Sequence, residues 1–183
     1  ETLFKNVYKL LGGQCFTYKN GELNVKKYYD IRYHIDNTKT LEEWEALITD
    51  EFTKSVEAHK ISDVEVGCFL SSGVDSSYVV KEVSKVTKDV KTFSVGYEEE
   101  KYSELSYAQD FSKVVGVPNI SNKVSADDYF GAAAKIQYFM DEPLPNPSEV
   151  PLYFLAENAR KYVKVVLSGE GADELFGGYP SYV

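Results

Sequence analysis

The chain has 183 residues, a formal net charge of −9 and an isoelectric point near 4.8, with 43% hydrophobic and 27% charged residues. That acidity lacks the basic footprint of a sequence-blind nucleic-acid binder, and no apolar run is long enough to cross a bilayer as a helix, so the expected setting is cytoplasmic with neither nucleic acid nor membrane as partner. Cys15 and Cys68 are too few for a disulfide framework, and a chain of this length buries a core without staples.

Residues 1–36 differ in character from the rest of the chain. "CFTYKNGELNV" alternates around Asn20-Gly21, a two-residue hairpin signal. Tyr and Lys dominate there and no core-sized apolar run appears, which predicts a small β-rich remnant of a preceding domain. The chain opens on "ETLF" without an initiator Met, as a fragment would. Residues 40–59 read as an amphipathic helix. Thr40 and Glu43 form a capping box, and Leu41, Trp44, Ile48, Phe52 and Val56 recur on one face.

From residue 64 the pattern alternates strand and helix. "VEVGCFL" (64–70) is a nearly continuous apolar run, as in a strand buried on both faces. Helix is predicted over 76–86 and strand over 90–97. Ser103 to Val115 reads as a helix with Leu105, Ala108, Phe111 and Val115 inward and Gly116 as its stop. "NISNKV" is a weaker strand, and Ser125 with Asp128 caps a helix running to about Met140. A rigid proline-rich link, "DEPLPNPSEVP", leads to a helix over 150–161 and a strand over 162–167. Strands alternating with helices predict βαβ units, hence a doubly wound, mainly parallel α/β sheet with helices on both faces.

Two strand ends carry unusual loops. After Leu70 comes "SSGVDSS", which supplies small side chains, hydroxyls and free backbone N–H groups at the start of a helix. Ligands of parallel sheets bind at strand carboxyl ends, and a helix N-terminus favours an anion, so this loop is a phosphate cradle. It is no Walker loop, for it has no Lys at the required spacing. Asp75 inside such a cradle would repel phosphate unless a cation intervened, and Mg²⁺ is the natural bridge. The second loop, "SGEGADE", brings Glu170, Asp173 and Glu174 between glycines, so that Asp75 and Asp173 could share the metal. Taken singly, each Asp reads more readily as a helix N-cap or first-turn charge. Two such loops at strand ends of one sheet weigh against that.

These residues resemble a known family. "FLSSGVDSS" is similar to the SGGxDS pyrophosphate loop of the N-type ATP pyrophosphatases, and "DEPLPNPSEVPLYFLAENARKYVKVVLSGEGADELFGGY" resembles the signature region of the glutamine-hydrolysing asparagine synthetases. The resemblance runs along nearly the whole chain. It implies the adenine-nucleotide α-hydrolase-like (PP-loop) fold. It also implies that 1–36 close a glutaminase domain in cis, while 37–183 form the first part of a synthetase domain truncated at its C-terminal side. By position it implies adenosine contacts at the backbone of Leu70 and Val95, and a pyrophosphate loop of Ser71, Ser72, Gly73, Asp75 and Ser76. Ser168 and Gly169 match a second ATP contact, Glu170 an acid needed for adenylate formation, and Asp173, with Asp75, a magnesium ligand. The implied reaction is activation of the aspartate side chain by Mg·ATP as β-aspartyl-AMP, then attack by ammonia to give asparagine and AMP. A homodimer is compatible with the resemblance.

The sequence also departs from the pattern. Ser72 stands where the motif has its second glycine, and would cost about 1 kcal/mol if φ there must be positive. Neither cysteine matches the N-terminal nucleophile of the glutaminase, and the helical region that supplies a lysine near the reacting phosphate lies beyond Val183, so the chain alone is expected to be inactive. A β-lactam-synthetase-like relative would share both loops and differ in acceptor, and a degenerate nucleotide-binding module would keep ATP without the chemistry. A Rossmann oxidoreductase is disfavoured, because no G-x-G-x-x-G follows the first strand. His34 and His59 lack metal-ligand spacing. Residues 98–101 read as a solvated loop, although the resemblance implies that a loop after the "SVG" strand lies near the nucleotide and leaves a minor role open; Trp44 and the tyrosines read as packing. Asp141-Glu142 reads as a turn starter, which the resemblance alone would make part of the substrate wall.

Overall fold

The computed structural model describes residues 2–87, 89–143 and 146–182. The chain divides into two compact units, 1–45 and 46–183. The division falls inside a helix, later than the 36/37 boundary expected from composition.

The first unit is built on a hairpin. Strands β1 (Gln14–Lys19) and β2 (Glu22–Lys27) pair antiparallel with Lys19 opposite Glu22. Asn20 (φ 53°) and Gly21 (φ 84°) are both left-handed, the primed-turn geometry that matches strand twist. Phe16 lies opposite Val25 and Tyr18 opposite Leu23, and all four are exposed. The cross-strand pairs thus give the hairpin an apolar face without burying it.

Helix α1 (Leu41–His59) begins with the expected reciprocal cap. The Glu43 N–H donates to Thr40 Oγ1 (3.3 Å) and the Thr40 N–H to Glu43 Oε2 (2.8 Å). Its apolar stripe is buried only toward the C-terminal end. Val56 is 6% exposed, whereas Leu41 is 69% exposed.

The second unit holds a four-stranded parallel sheet made of β3 (Val66–Phe69), β4 (Thr92–Tyr97), β5 (Asn119–Val124) and β6 (Val165–Leu167), in the order β5-β4-β3-β6. The connections are α2 (Val74–Val86), α3 (Leu105–Val115), then α4 (Ala126–Met140) and α5 (Glu149–Ala159). The chain winds outward from β3 to β5, then returns to place β6 on the other side of β3. This is the doubly wound α/β architecture expected, with its reversal of strand order between β3 and β6.

Alternation along the strands fills two cores. Cys68, Leu70 and Leu167 pack with Val56, Val79, Val80, Val83 and Ala108 on one face. Phe69, Phe93 and Val166 pack with Leu155, Ala159 and Val163 on the other. At Gly67 a Cβ would lie 2.7 Å from the Phe93 ring and 3.0 Å from the Lys91 carbonyl, so the strand passes there only as glycine.

Helix ends follow the sequence closely. Gly116 (φ 74°) caps α3, and Ser125 and Asp128 form the capping box of α4. The strand expected over 162–167 is only Val165–Leu167, because Tyr162 and Val163 still donate their N–H groups to the Ala159 carbonyl at the end of α5. In the proline-rich link, Leu144 and Pro145 lie outside the described residues.

A buried acid ties α1 to α2. The Glu82 side chain is 1% exposed, receives the Lys85 ammonium at 2.6 and 2.7 Å, and accepts from Thr53 Oγ1 at 3.1 Å. Phe52 stacks on Tyr78 beside it, with ring centroids 4.4 Å apart. Among the described residues no helix is long and apolar enough to cross a membrane.

Candidate active site

The two loops singled out in the sequence leave the carboxyl ends of β3 and β6, the neighbouring strands where the order reverses. They border one cavity of about 270 Å³. From the first loop Leu70, Ser71, Gly73, Asp75 and Ser76 line it, and Val95 lines it from β4. From the second loop Ser168, Gly169, Glu170 and Asp173 line it. Ser72 is the one expected site residue outside the lining. Its hydroxyl donates instead to Glu104 Oε2.

The first loop is held by its own hydroxyls. The Ser71 N–H donates to Ser76 Oγ (3.1 Å), and the Gly73 N–H donates to Ser71 Oγ (3.1 Å). Ser76 Oγ lies 2.8 Å from Ser71 Oγ and 3.2 Å from the Gly73 carbonyl. These short side chains satisfy the turn locally, as serines do ahead of a helix. Gly73 (φ −71°) precedes α2 with no side-chain cap, so the first N–H groups of that helix have no capping side chain. Ser72 is not among the residues with positive φ. Serine therefore replaces glycine there without backbone strain.

The strand ends are braced from behind. Ser94 Oγ donates to the Leu70 carbonyl (2.7 Å) and itself accepts from Asn119 Nδ2 (2.9 Å). The Leu70 N–H is spent on the Phe93 carbonyl (2.8 Å). A ligand contact at the Leu70 main chain would therefore use the second lone pair of its carbonyl.

The second loop touches the first through backbone. A Cβ on Gly169 would lie 2.8 Å from the Ser76 nitrogen and 2.9 and 3.0 Å from Asp75 Cβ and carbonyl carbon. Glycine is required there by proximity. Gly171 (φ 92°) and Gly177 (φ 67°) bracket the short helix α6 (Ala172–Phe176) and are required by conformation. A Cβ on Gly178 would overlap the Asp173 carboxylate. Tyr179 donates to Glu174 Oε1 (2.7 Å). That bond pushes the Tyr179 phenol up to about 12 and holds Glu174 below the usual carboxylate range.

Four carboxylates, Asp75, Glu104, Glu170 and Asp173, line the cavity, and none of the lining residues is Lys, Arg or His. Among the described residues no three His, Cys, Asp or Glu side chains converge as a self-sufficient metal cage. Carboxylate oxygens are hard donors, the ligand type that Mg²⁺ takes together with phosphate or water oxygens.

Sequence reasoning missed part of the lining. Glu104 immediately precedes α3, at the far end of the connection that leaves the carboxyl end of β4 and passes through a short turn over Glu100–Tyr102. Leu105 and Ala108 were expected inward but only as core, and α5 adds Leu152 and Leu155. Tyr179 stands within the quoted "LFGGY" and also lines the cavity.

Fold and site together define a doubly wound α/β domain with paired strand-end loops converging on one acidic cavity. The chain belongs to the asparagine synthase family, whose model matches residues 47–183. It is similar to glutamine-hydrolyzing asparagine synthetase 1 of Bacillus subtilis strain 168, with 40% identity over 186 residues, 100% of this chain and 29% of that protein. A putative glutamine-hydrolyzing asparagine synthetase of Mycobacterium tuberculosis H37Rv is 45% identical over 135 residues, 74% of this chain and 21% of the relative. A putative archaeal counterpart from Methanocaldococcus jannaschii is 35% identical over 100% of this chain and 36% of its own length. The chain thus spans little more than a third, at most, of these relatives. Among solved structures, the NH3-dependent NAD synthetase of Campylobacter jejuni is similar at a TM-score of 0.49 and 16% identity, over 73% of this chain and 60% of that one.

Proposed function

We propose that the chain is the nucleotide-binding part of an ATP-dependent amide ligase that makes asparagine from aspartate. The observation that carries this is the backbone contact of Gly169 with Asp75 and Ser76, which makes two phosphate-type loops into a single site. The family match and the names of the relatives support aspartate as the acceptor.

In this reading the main chain at Leu70 and Val95 faces the adenosine. Ser71, Gly73 and Ser76, with the start of α2, hold the polyphosphate, and Ser168 and Gly169 approach it from the other loop. Ser72 contributes through Glu104. Asp75 and Asp173 are the carboxylates that would hold Mg²⁺, and the lining fits it, since it offers hard oxygen donors and no competing cationic side chain. Bound there, Mg²⁺ supplies charge neutralisation for the polyphosphate and the departing pyrophosphate.

An oxygen of the aspartate side-chain carboxylate attacks the α-phosphorus. The bond from that phosphorus to pyrophosphate breaks, leaving β-aspartyl-AMP, and Glu170 acts in this step. Ammonia then attacks the acyl carbon, AMP departs with the ester oxygen, and the new amide nitrogen loses a proton. Such chemistry depends on position and charge neutralisation more than on covalent help from the protein.

In the full-length protein the ammonia derives from glutamine through a glutaminase domain in cis. The exposed apolar pairs of the β1–β2 hairpin suit it to packing within such a domain. Because the chain spans 29% of its Bacillus relative, the 183 residues alone are expected to form no asparagine.

The test is product analysis on a full-length protein carrying this chain, supplied with Mg·ATP, ammonium and a panel of carboxylates. Aspartate-dependent AMP and pyrophosphate are expected. AMP formed only with another carboxylate would keep the mechanism and change the acceptor. ATP left intact with every acceptor would overturn the ligase reading in favour of a binding module.

A further inference from the structure

We infer that Glu104, held by Ser72, is the acceptor for the ribose hydroxyls of the bound nucleotide. The inference rests on the reading of the cavity as an ATP site and deepens it. Glu104 lines the cavity, and one of its oxygens, Oε2, accepts the Ser72 hydroxyl. Ser72 belongs to the phosphate-type loop after β3, whereas Glu104 follows β4 and opens α3. On the proposed reading, in which the loop after β3 holds the phosphates and Val95 of β4 lies by the adenosine, the pair joins the two parts of the site that would hold the ends of the nucleotide. A nucleotide's sugar is the piece that connects those two ends.

The chemistry agrees with the position. An ionised carboxylate is an acceptor only, and no Lys, Arg or His in the lining is available to pair with Glu104. Beside phosphate it would repel its ligand. Beside two vicinal hydroxyls it meets two donors, the recognition used by the acid that follows the second strand of dinucleotide-binding folds. Its neighbours Leu105 and Ala108 are apolar and 7% and 1% exposed, so one side of this region is closed to water. Ser72 stands where the loop motif has glycine. Its hydroxyl supplies the hydrogen bond that orients the acid and leaves Oε1 for the ligand. Ser72 is accordingly a positioning residue.

The experiment is calorimetric titration of a full-length protein carrying this chain with Mg·ATP and with Mg·2′,3′-dideoxy-ATP, for the wild type, Glu104→Gln and Ser72→Gly, with melting temperature as the check on folding. The wild type should prefer ATP by about tenfold or more, the size expected for hydroxyls bonded to a charged acceptor. Glu104→Gln should bind dideoxy-ATP as the wild type does and lose most of the preference. Ser72→Gly should lose part of it. A preference for ATP that survives intact in a folded Glu104→Gln protein overturns the assignment while leaving the ATP site standing. Equal weakening of both nucleotides, with a changed Mg²⁺ requirement, makes Glu104 a metal-side residue and also overturns it. If Glu104→Gln fails to fold, the wild type and Ser72→Gly decide: no wild-type preference between the two nucleotides refutes the idea. Failure of the wild type to bind either nucleotide removes the ATP reading itself, and this inference with it.

Discussion

Substituting Gly169 by alanine tests the claim that the two loops form one site. The added Cβ would sit 2.8 Å from a main-chain nitrogen and 2.9 and 3.0 Å from two carbons of Asp75. Carbon atoms in good contact stand about 3.5–4.0 Å apart, so one loop must retreat by about half an ångström or more. The obstructing atoms are backbone or fixed to it, and no flexible side-chain end can swing aside. Gly169 is not among the glycines with positive φ, so alanine meets no conformational penalty. It should gain about 0.4–1 kcal/mol through a less disordered unfolded chain. Overpacking of this kind costs about 1–3 kcal/mol. The balance is a net loss of about 1–2 kcal/mol, measurable by urea unfolding. The effect on the site should be larger, since a displacement of about 1 Å in a positioning element can cost about a hundredfold in rate. Gly171→Ala is the control. Nothing lies within 4 Å of its Cβ, but its φ is 92°, so it should cost about 1 kcal/mol without parting the loops. Unchanged stability and unchanged Mg·ATP affinity in Gly169→Ala would refute the reasoning.

The same structure yields further expected outcomes. Asp75→Asn keeps the shape of the loop and removes one charge, and should weaken Mg·ATP binding in a calorimetric titration; an unchanged Mg²⁺ requirement would return Asp75 to the role of a helix-terminal charge. Glu170→Gln should bind ATP normally and fail to exchange labelled pyrophosphate into ATP in the presence of aspartate, and equal loss of binding would contradict its separate role. Lys85→Ala strands the nearly fully buried Glu82 carboxylate with only the Thr53 hydroxyl. The lysine is 52% exposed, so water takes part of its place, and the expected loss in urea unfolding is about 1–3 kcal/mol; no change would show that the pair is ornamental. Burial pushes the Cys68 thiol up to about 12, so its stabilising contribution is complete below the ordinary thiol pKa and fades as pH rises through the folded value. A thiol reagent at mildly alkaline pH should therefore titrate one cysteine per native chain, the exposed Cys15, and both after denaturation.

The architecture was legible because each signal was local and agreed with its neighbours. Asn20-Gly21, the Thr40 and Ser125 capping boxes and Gly116 each announce a turn or helix end through a few adjacent residues. "VEVGCFL" announces a buried strand by its apolar run. The loops were legible for the same reason, since "SSGVDSS" and "SGEGADE" are each contiguous. What was hidden depends on residues distant in sequence. Glu104 gains meaning only because β4 lies next to β3 and brings it to Ser72. Leu152 and Leu155 belong to a helix whose sequence marks no site, and gain a place in the lining only once α5 folds against the sheet. The Glu82 to Thr53 bond joins two helices whose separate patterns give no hint of it. The shortening of β6 was likewise illegible, because the last turn of α5 competes for the N–H groups of Tyr162 and Val163.

The position of β6 carries a consequence for how the protein is made. Val165, Val166 and Leu167 pair with Val66, Gly67 and Cys68, so β3 emerges from the ribosome long before its second neighbour exists. Until then one side of β3 is an open edge with unpaired main-chain groups, the kind of edge that invites pairing with another chain. Closing it requires contacts of long sequence separation, which form late and slowly. The loop after β6 arrives with that strand, and Gly169 then settles on Asp75 and Ser76. Protection of the open edge and closure of the cavity between the two loops thus depend on the same late pairing.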